Sequence, residues 1–219
     1  MPDSAAGSAP HQRGAGVRLR PGLAPDASAV AALHRDLIAE GFLSSLGERF
    51  LCRLYRRVAL SDDAFVLVAE DDDEVVGFIA GALSLGRLYR RFVLRDGAAV
   101  ALGSPLRLAG AWRRVLETLR HGVDGEDGTP GAELLAVAVA PAWRGRGVGA
   151  RLVSAFQAEL TGRGVDASQV VVGADNAPAI AMYRRAGFTP ARTFELHKGT
   201  ASVLMAHVGT GAAPTPPTP

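Results

Sequence analysis

Apolar positions along the chain recur at two spacings, and the switches between them divide it into elements. Residues 17–20 alternate with a period of two and stop at Pro21, which predicts a short strand. Val30, Leu33 and Leu37 then recur at helical spacing within residues 26–39. A second helix is predicted from the stripe Phe50, Leu51, Leu54 and Val58, behind Ser45-Leu46-Gly47-Glu48, whose Ser-x-x-Glu order is that of a capping box. Residues 64–69 and 75–83 are β-rich runs on either side of Glu70-Asp71-Asp72-Asp73-Glu74. So many like charges predict a hairpin with a solvated tip. Helical spacing returns over 88–101 and 106–119, broken at Gly103-Ser104-Pro105.

Residues 134–139 are continuously apolar, as in a strand buried on both faces, and Pro141 ends them. A glycine-rich turn, a helix over 148–160, a strand at 170–172 and a short helix over 178–185 follow. A closing hairpin of 193–196 and 201–206 turns around Lys198-Gly199. No repeat is visible. The order of elements describes one mixed α/β domain over residues 17–208, with disordered ends expected at 1–16 and in the proline-rich 209–219.

Composition narrows the chemistry. Of 219 residues, 48% are hydrophobic and 21% charged, the balance of an ordinary globular chain. The charged residues nearly cancel, at net +2, so charge alone gives no indication of nucleic-acid binding. Twenty-three of the 24 basic residues are arginines; Lys198 is the only lysine, and its neighbours His197 and Gly199 rule out a Walker A loop. Cys52 is the single cysteine, so an intrachain disulfide and a cysteine metal cluster are excluded, and its apolar helical setting predicts a small core residue. His34 and His121 fall in helical stretches, and His197 and His207 near the closing hairpin. None has metal-ligand spacing, and no metal site is assigned. Without a signal peptide or an apolar run of about 18 residues, no membrane association is expected and cytoplasmic residence is.

The candidate chemistry lies between residues 133 and 188. At its centre, Arg144-Gly145-Arg146-Gly147-Val148-Gly149-Ala150 links a buried strand to a helix. Glycines there allow close backbone approach, the free N–H groups of the first helical turn point outward, and the helix dipole adds positive potential. These are the parts of a phosphate or pyrophosphate site. Arg144 and Arg146 would add charge-assisted hydrogen bonds. The stretch 145–150 also fits the G-x-G-x-x-A dinucleotide fingerprint. That reading suffers because only some 60 folded residues remain after it, and because Asp166 and Asp175 are misplaced for the ribose-binding acid.

Arg144-x-x-Gly147-x-Gly149 resembles the acetyl-CoA pyrophosphate loop of the GCN5-related N-acetyltransferases. Asn176-x-x-Ala179-x-x-Met182-Tyr183-x-x-x-Gly187-Phe188 is similar to that family's second signature, and the two occur in the family's order. The resemblance implies an acyl-CoA N-acyltransferase fold whose mixed sheet splays open after its fourth strand, with acetyl-CoA as co-substrate and its pantetheine arm in the opening. Backbone groups of Val137, Ala138 and Val139 would pair with that arm, and one N–H would polarise the thioester carbonyl. The loop residues from Arg144 to Ala150, with Asn176 as cap or contact, would complete the cofactor site. Acetyl transfer would go directly to a primary amine of a small metabolite, an amino sugar or a peptide N-terminus, with no acyl-enzyme.

Two catalytic side chains are implied. Glu133 begins the buried strand, where the family commonly places a general base, and period-two alternation puts it on one face with Leu135, Val137 and Val139. Tyr183 occupies the position from which the family's tyrosine protonates the departing thiolate. Residues 85–130 depart from compact family members as an insertion expected to hold two helices. Between Gly86 and Arg120 it carries eight arginines against Asp96 and Glu117, net +6. This basic run admits an acidic acceptor, or the aminoacyl-tRNA acceptor of toxin-type acetyltransferases. A non-catalytic acyl-CoA-binding module is the remaining alternative, and a homodimer is left open.

Overall fold

The computed structural model describes residues 16–38, 42–88, 90–92, 94–95, 131–197 and 200–209. Its elements are β1 (Arg18–Pro21), α1 (Ala27–Leu37), a single turn α2 (Phe42–Ser45), α3 (Glu48–Ala59), β2 (Ala64–Asp71), β3 (Glu74–Ala82), β4 (Ala132–Val139), α4 (Val148–Gly162), β5 (Ala167–Gly173), α5 (Ala177–Arg185), β6 (Thr189–His197) and β7 (Thr200–Val208). The strands form one mixed sheet in the order β1-β2-β3-β4-β5-β7-β6. Neighbours run antiparallel except β4 and β5, which are parallel because α4 carries the chain back between them.

Both faces of the sheet are covered, which is why β2 and β3 are buried over almost their whole length. On one face, α3 offers Leu51, Leu54, Tyr55 and Val58, a stripe at helical spacing, and α1 adds Val30 and Ala31. These close over Val66, Val68, Phe78 and Ala80. On the other face, α4 turns Val148, Leu152, Val153, Phe156 and Leu160 onto Phe65, Leu67 and Ile79. Fully burying rings such as Phe78 and Phe156 contributes about 2–3 kcal/mol each.

Several local expectations are corrected. The helix after residue 47 is not capped by Ser45, which belongs to α2. Gly47, at φ +86°, takes the N-cap position instead and contributes no side-chain bond. The acidic hairpin is solvated only at its tip, where Asp72 and Asp73 adopt positive φ. Glu70 and Asp71 belong to β2 and are buried. Glu70 accepts from Arg18 at 2.6 Å and from the Nε of Arg20 at 2.6 Å, while Arg20 also holds Asp26. The ionic cluster joins β1 and β2 to the start of α1, so these charges act in the fold as well as on its surface. The closing hairpin is longer than expected, since β6 and β7 begin and end beyond the strongly apolar core of each run.

Of the insertion, residues 85–88, 90–92 and 94–95 are helical. Arg87 donates to Asp63 at 3.0 Å and Arg91 pairs with it at 2.9 Å, which ties this segment to the start of β2. The remainder of the expected helices at 88–101 and 106–119 lies outside the described residues, as do the ends at 1–15 and 210–219.

Candidate active site at the parting of two strands

β4 and β5 are paired through only three residues each: Ala132 with Ser168, Glu133 with Gln169, and Leu134 with Val170. Beyond Leu134 the strands part. On its β5 side, the edge of β4 from Leu135 to Val139, including Val137, Ala138 and Val139, thus faces an opening, while the other edge stays paired with β3. The splay expected after the fourth strand is present.

β4 is buried in alternation, not on both faces as its apolar run predicts. The alternation is interrupted as well. Ala80 of β3 stands opposite Ala136 while Gly81 stands opposite Leu134, so Leu135 is an extra residue, a β-bulge. The extra residue reverses the faces. Ala132 and Leu134 point to the α4 side, as do Val137 and Val139 after the bulge, whereas Ala136 and Ala138 point to the α1/α3 side. Glu133, opposite Ala82, also points to the α1/α3 side. Strict alternation across Leu135 assigned Glu133 to one face with Val137 and Val139; the bulge places it on the opposite one.

Glu133 is half-buried, and the side chain of Gln169 stands opposite it across the ladder. Burial pushes its carboxyl up to about 7, against a smaller opposing effect of the Gln169 hydrogen bond. Tyr183 lies on α5, buried at 4% exposure in the core cluster of the α4 side and tilted against Phe188 with ring centroids 5.7 Å apart. Its hydroxyl has no hydrogen-bond partner among the described residues. Burial raises its pKa, so the phenol stays protonated throughout the neutral range. The two expected catalytic residues therefore occupy opposite faces of the sheet and do not touch.

The turn between β4 and α4 is built as its glycines suggest. Gly145 and Gly147 have φ of +71° and +77°, and nothing lies within 4 Å of a Cβ built on either. Gly147 is the N-cap of the 15-residue α4, and the amides of Val148, Gly149 and Ala150 meet no acceptor in the described backbone. Val148 anchors the first turn in the core at 2% exposure. Gly149 lets α5 approach, since a Cβ there would sit 3.1 Å from the Met182 Sδ. Arg144 donates through Nε to the Val139 carbonyl at 3.0 Å, and the Arg146 guanidinium stacks 4.9 Å from the Trp143 ring centroid. Both arginines are exposed with these anchors holding their stems. Asn176 caps α5, its Oδ1 accepting from the Ala179 amide at 3.1 Å.

Sequence reasoning passed over Gln169, which has no motif around it, and the pair His34 and Tyr55. The His34 Nδ1 and the Tyr55 hydroxyl are 2.5 Å apart under Phe78, and burial lowers the imidazole pKa to about 4, so His34 is neutral. Cys52 is partly exposed on α3. Among the described residues no cluster of three or more His, Cys, Asp or Glu is placed to hold a metal, and no helix is long and apolar enough to cross a membrane.

Comparison with known proteins agrees with this geometry. The family model described as "Acetyltransferase (GNAT) family" matches residues 33–188. A mycothiol acetyltransferase of Clavibacter michiganensis is 45% identical over 60 residues, 27% of this chain and 20% of that protein. One from Nocardioides is 38% identical over 97 residues, 43% of this chain and 32% of the relative. The chain thus covers a third or less of the length of these relatives. Among solved structures, the ribosomal-protein-S18-alanine N-acetyltransferase of Escherichia coli aligns with a TM-score of 0.59 at 16% identity, over 90% of this chain and 96% of that one. Arabidopsis thaliana NAA60, solved in complex with acetyl-CoA, aligns at 0.58 and 18% identity over 89% and 99%. At such identities the likeness is one of fold.

Proposed function

Because this chain belongs to the GNAT acetyltransferase family, we propose that it transfers an acetyl group from acetyl-CoA to a primary amine, with Glu133 as general base and Tyr183 as general acid. The observation that carries this reading is the parting of β4 from β5 after Leu134, beside a glycine turn that opens a long helix.

The residues present fit the co-substrate. The unpaired edge of β4 at Val137, Ala138 and Val139 suits the amides of a pantetheine arm. Gly145 and Gly147 leave the turn free of side chains where a pyrophosphate needs room, and the free amides of Val148, Gly149 and Ala150 suit its oxygens. Arg144 keeps its two terminal nitrogens for the same oxygens while Nε is bound to Val139, and the stacked Arg146 adds charge. When bound, acetyl-CoA supplies a thioester whose carbon–sulfur bond breaks as the carbon–nitrogen bond forms.

An amine reaches Glu133 from the α1/α3 side of the opening. An ammonium cannot attack, so Glu133 takes one proton from it; a carboxyl raised to about 7 is a base matched to neutral pH. Backbone N–H groups on the open β4 edge would stabilise the thioester carbonyl oxygen as it gains charge. From the α5 side, the protonated Tyr183 gives its proton to the departing sulfur and is reprotonated by the second proton that the nitrogen sheds as the amide forms. Cys52 has no part in this scheme: it lies on α3, packed against the α1/α3 core.

Acceptor identity is best approached by screening the full chain against polyamines, amino sugars, peptide N-termini, charged tRNA and mycothiol-type compounds, the last because relatives bear that name. Release of free thiol dependent on one amine class is expected. Acetyl-CoA binding with no turnover on any amine would overturn the catalytic reading in favour of an acyl-CoA-binding module.

A further inference from the structure

We infer that Gln169 is a positioning residue for Glu133, an amide that serves both forms of the base through the catalytic cycle. The inference rests on Glu133 being the general base. Gln169 stands directly opposite Glu133 in the last three paired positions before β4 and β5 part, so the two side chains lie on the same face at the mouth of the opening. It is only 6% exposed, an unusual place for an amide unless it has a partner. The Glu133 carboxyl stands across the ladder from this amide, while the Oε1 is buried with no partner among the described residues.

That asymmetry follows from the job. A carboxylate needs a donor, and the Gln169 amide N–H provides one. Once Glu133 has taken the ammonium proton it becomes a donor itself, and a half-turn of the amide brings the idle Oε1 round to accept from it. A cationic partner would hold Glu133 ionised and make it a weaker base; an apolar partner would leave the carboxylate unpaired. The amide keeps the group oriented in either state.

Among the described residues, few other groups compete for the role. α1, which packs over this part of β4, carries His34, neutral and bound to Tyr55, and Arg35 and Asp36, which pair with each other at the surface. β3 presents Ala82 opposite Glu133. The ionisable residues of α4 and its C-cap, Arg151, Glu159 and Arg163, belong to the other face of the sheet.

Gln169→Leu tests the inference, with Gln169→Met as a second near-isosteric variant. Two quantities are followed: the titration of the Glu133 carboxyl by carbon NMR, and kcat/KM against pH. With Gln169 gone, the carboxylate loses its donor. Both the titration and the acidic limb of the rate profile should move to higher pH together, with kcat/KM near pH 6 falling about tenfold and acetyl-CoA affinity unchanged. The same substitution in a Glu133→Gln background should change the rate little further. If the Glu133 titration stays put in both variants, the inference is overturned. If the titration moves while the rate profile does not, Glu133 is not the base, and the assignment made above falls with the part given to Gln169.

Discussion

Replacing Tyr183 with phenylalanine removes one oxygen and leaves the ring in place, so it separates chemistry from packing. The ring is what the fold uses: it is buried in the α4-side core and tilts against Phe188. The hydroxyl holds no described residue by hydrogen bond, so its loss orphans no partner among the described residues. Stability should therefore stay within about 1 kcal/mol of the native chain, a change in Tm of about 4 °C at most for a domain of this size. Turnover behaves differently. A positioned proton donor contributes on the order of 10²–10³-fold, so kcat should fall by that factor, or about 3–4 kcal/mol in the barrier. Acetyl-CoA affinity, proposed above to rest on the glycine turn and the β4 edge, should be unchanged. The assay follows free thiol with the best amine from the screen, alongside calorimetric titration with acetyl-CoA and a thermal melt. An unchanged kcat would remove Tyr183 from the mechanism. A Tm lowered by 8 °C or more would show that the hydroxyl supports the fold and that the absence of a partner was misread.

Further outcomes follow from the other members of the site. Glu133→Gln should abolish the acidic limb of kcat/KM near pH 7, and a limb that persists counts against Glu133 as base. The same substitution bears on stability. A carboxyl whose pKa rises on folding stabilises the fold below its unfolded value of 4.5 and loses that contribution as pH rises to about 7. The native chain should therefore weaken over that window, by up to about 3 kcal/mol, while the glutamine variant should not; denaturant melts at pH 4.5 and 7.5 read the difference. Gly147→Ala meets no clash but forces alanine into φ +77°, at about 1–2 kcal/mol, and should weaken acetyl-CoA binding measured calorimetrically. Equal affinity would argue against the turn as the pyrophosphate site.

How much was legible in the sequence depended on whether the signal was local. The Arg144–Ala150 turn could be read because a glycine at positive φ, a free helix N-terminus and an arginine are adjacent in the chain. Tyr183 could be placed by its spacing from Asn176 and Phe188, a local helix geometry. The face of Glu133 was not legible. It depends on one unpaired residue, Leu135, set by the register against β3, a strand some 50 residues earlier. Periodicity within one apolar run carries no mark of such a slip. Gly81 supports the irregularity from the other strand: a Cβ there would come within 2.5 Å of the Phe156 ring, a contact with no sequence signature. Glu70 was misread for a related reason. Within an acidic run it reads as solvated, and only the pairing of β1 with β2 brings Arg18 and Arg20 to it. Gln169 gave no signal, since one amide in a strand is informative only once its neighbour across the ladder is known.

The three-residue ladder between β4 and β5 also divides the sheet. On one side stand β1 to β4, on the other β5 to β7, two half-sheets hinged on Ala132–Leu134 and Ser168–Val170 and bridged by α4. Seen mechanically, the proposed base and its amide partner sit on the hinge pin. A cofactor arm lying in the opening would act as an added strand in the gap, mortar between two walls that otherwise meet along a short seam. Substrate occupancy and the unity of the fold are then one property: the empty protein should open first along this seam in hydrogen exchange, and filling it should make the two halves melt as one.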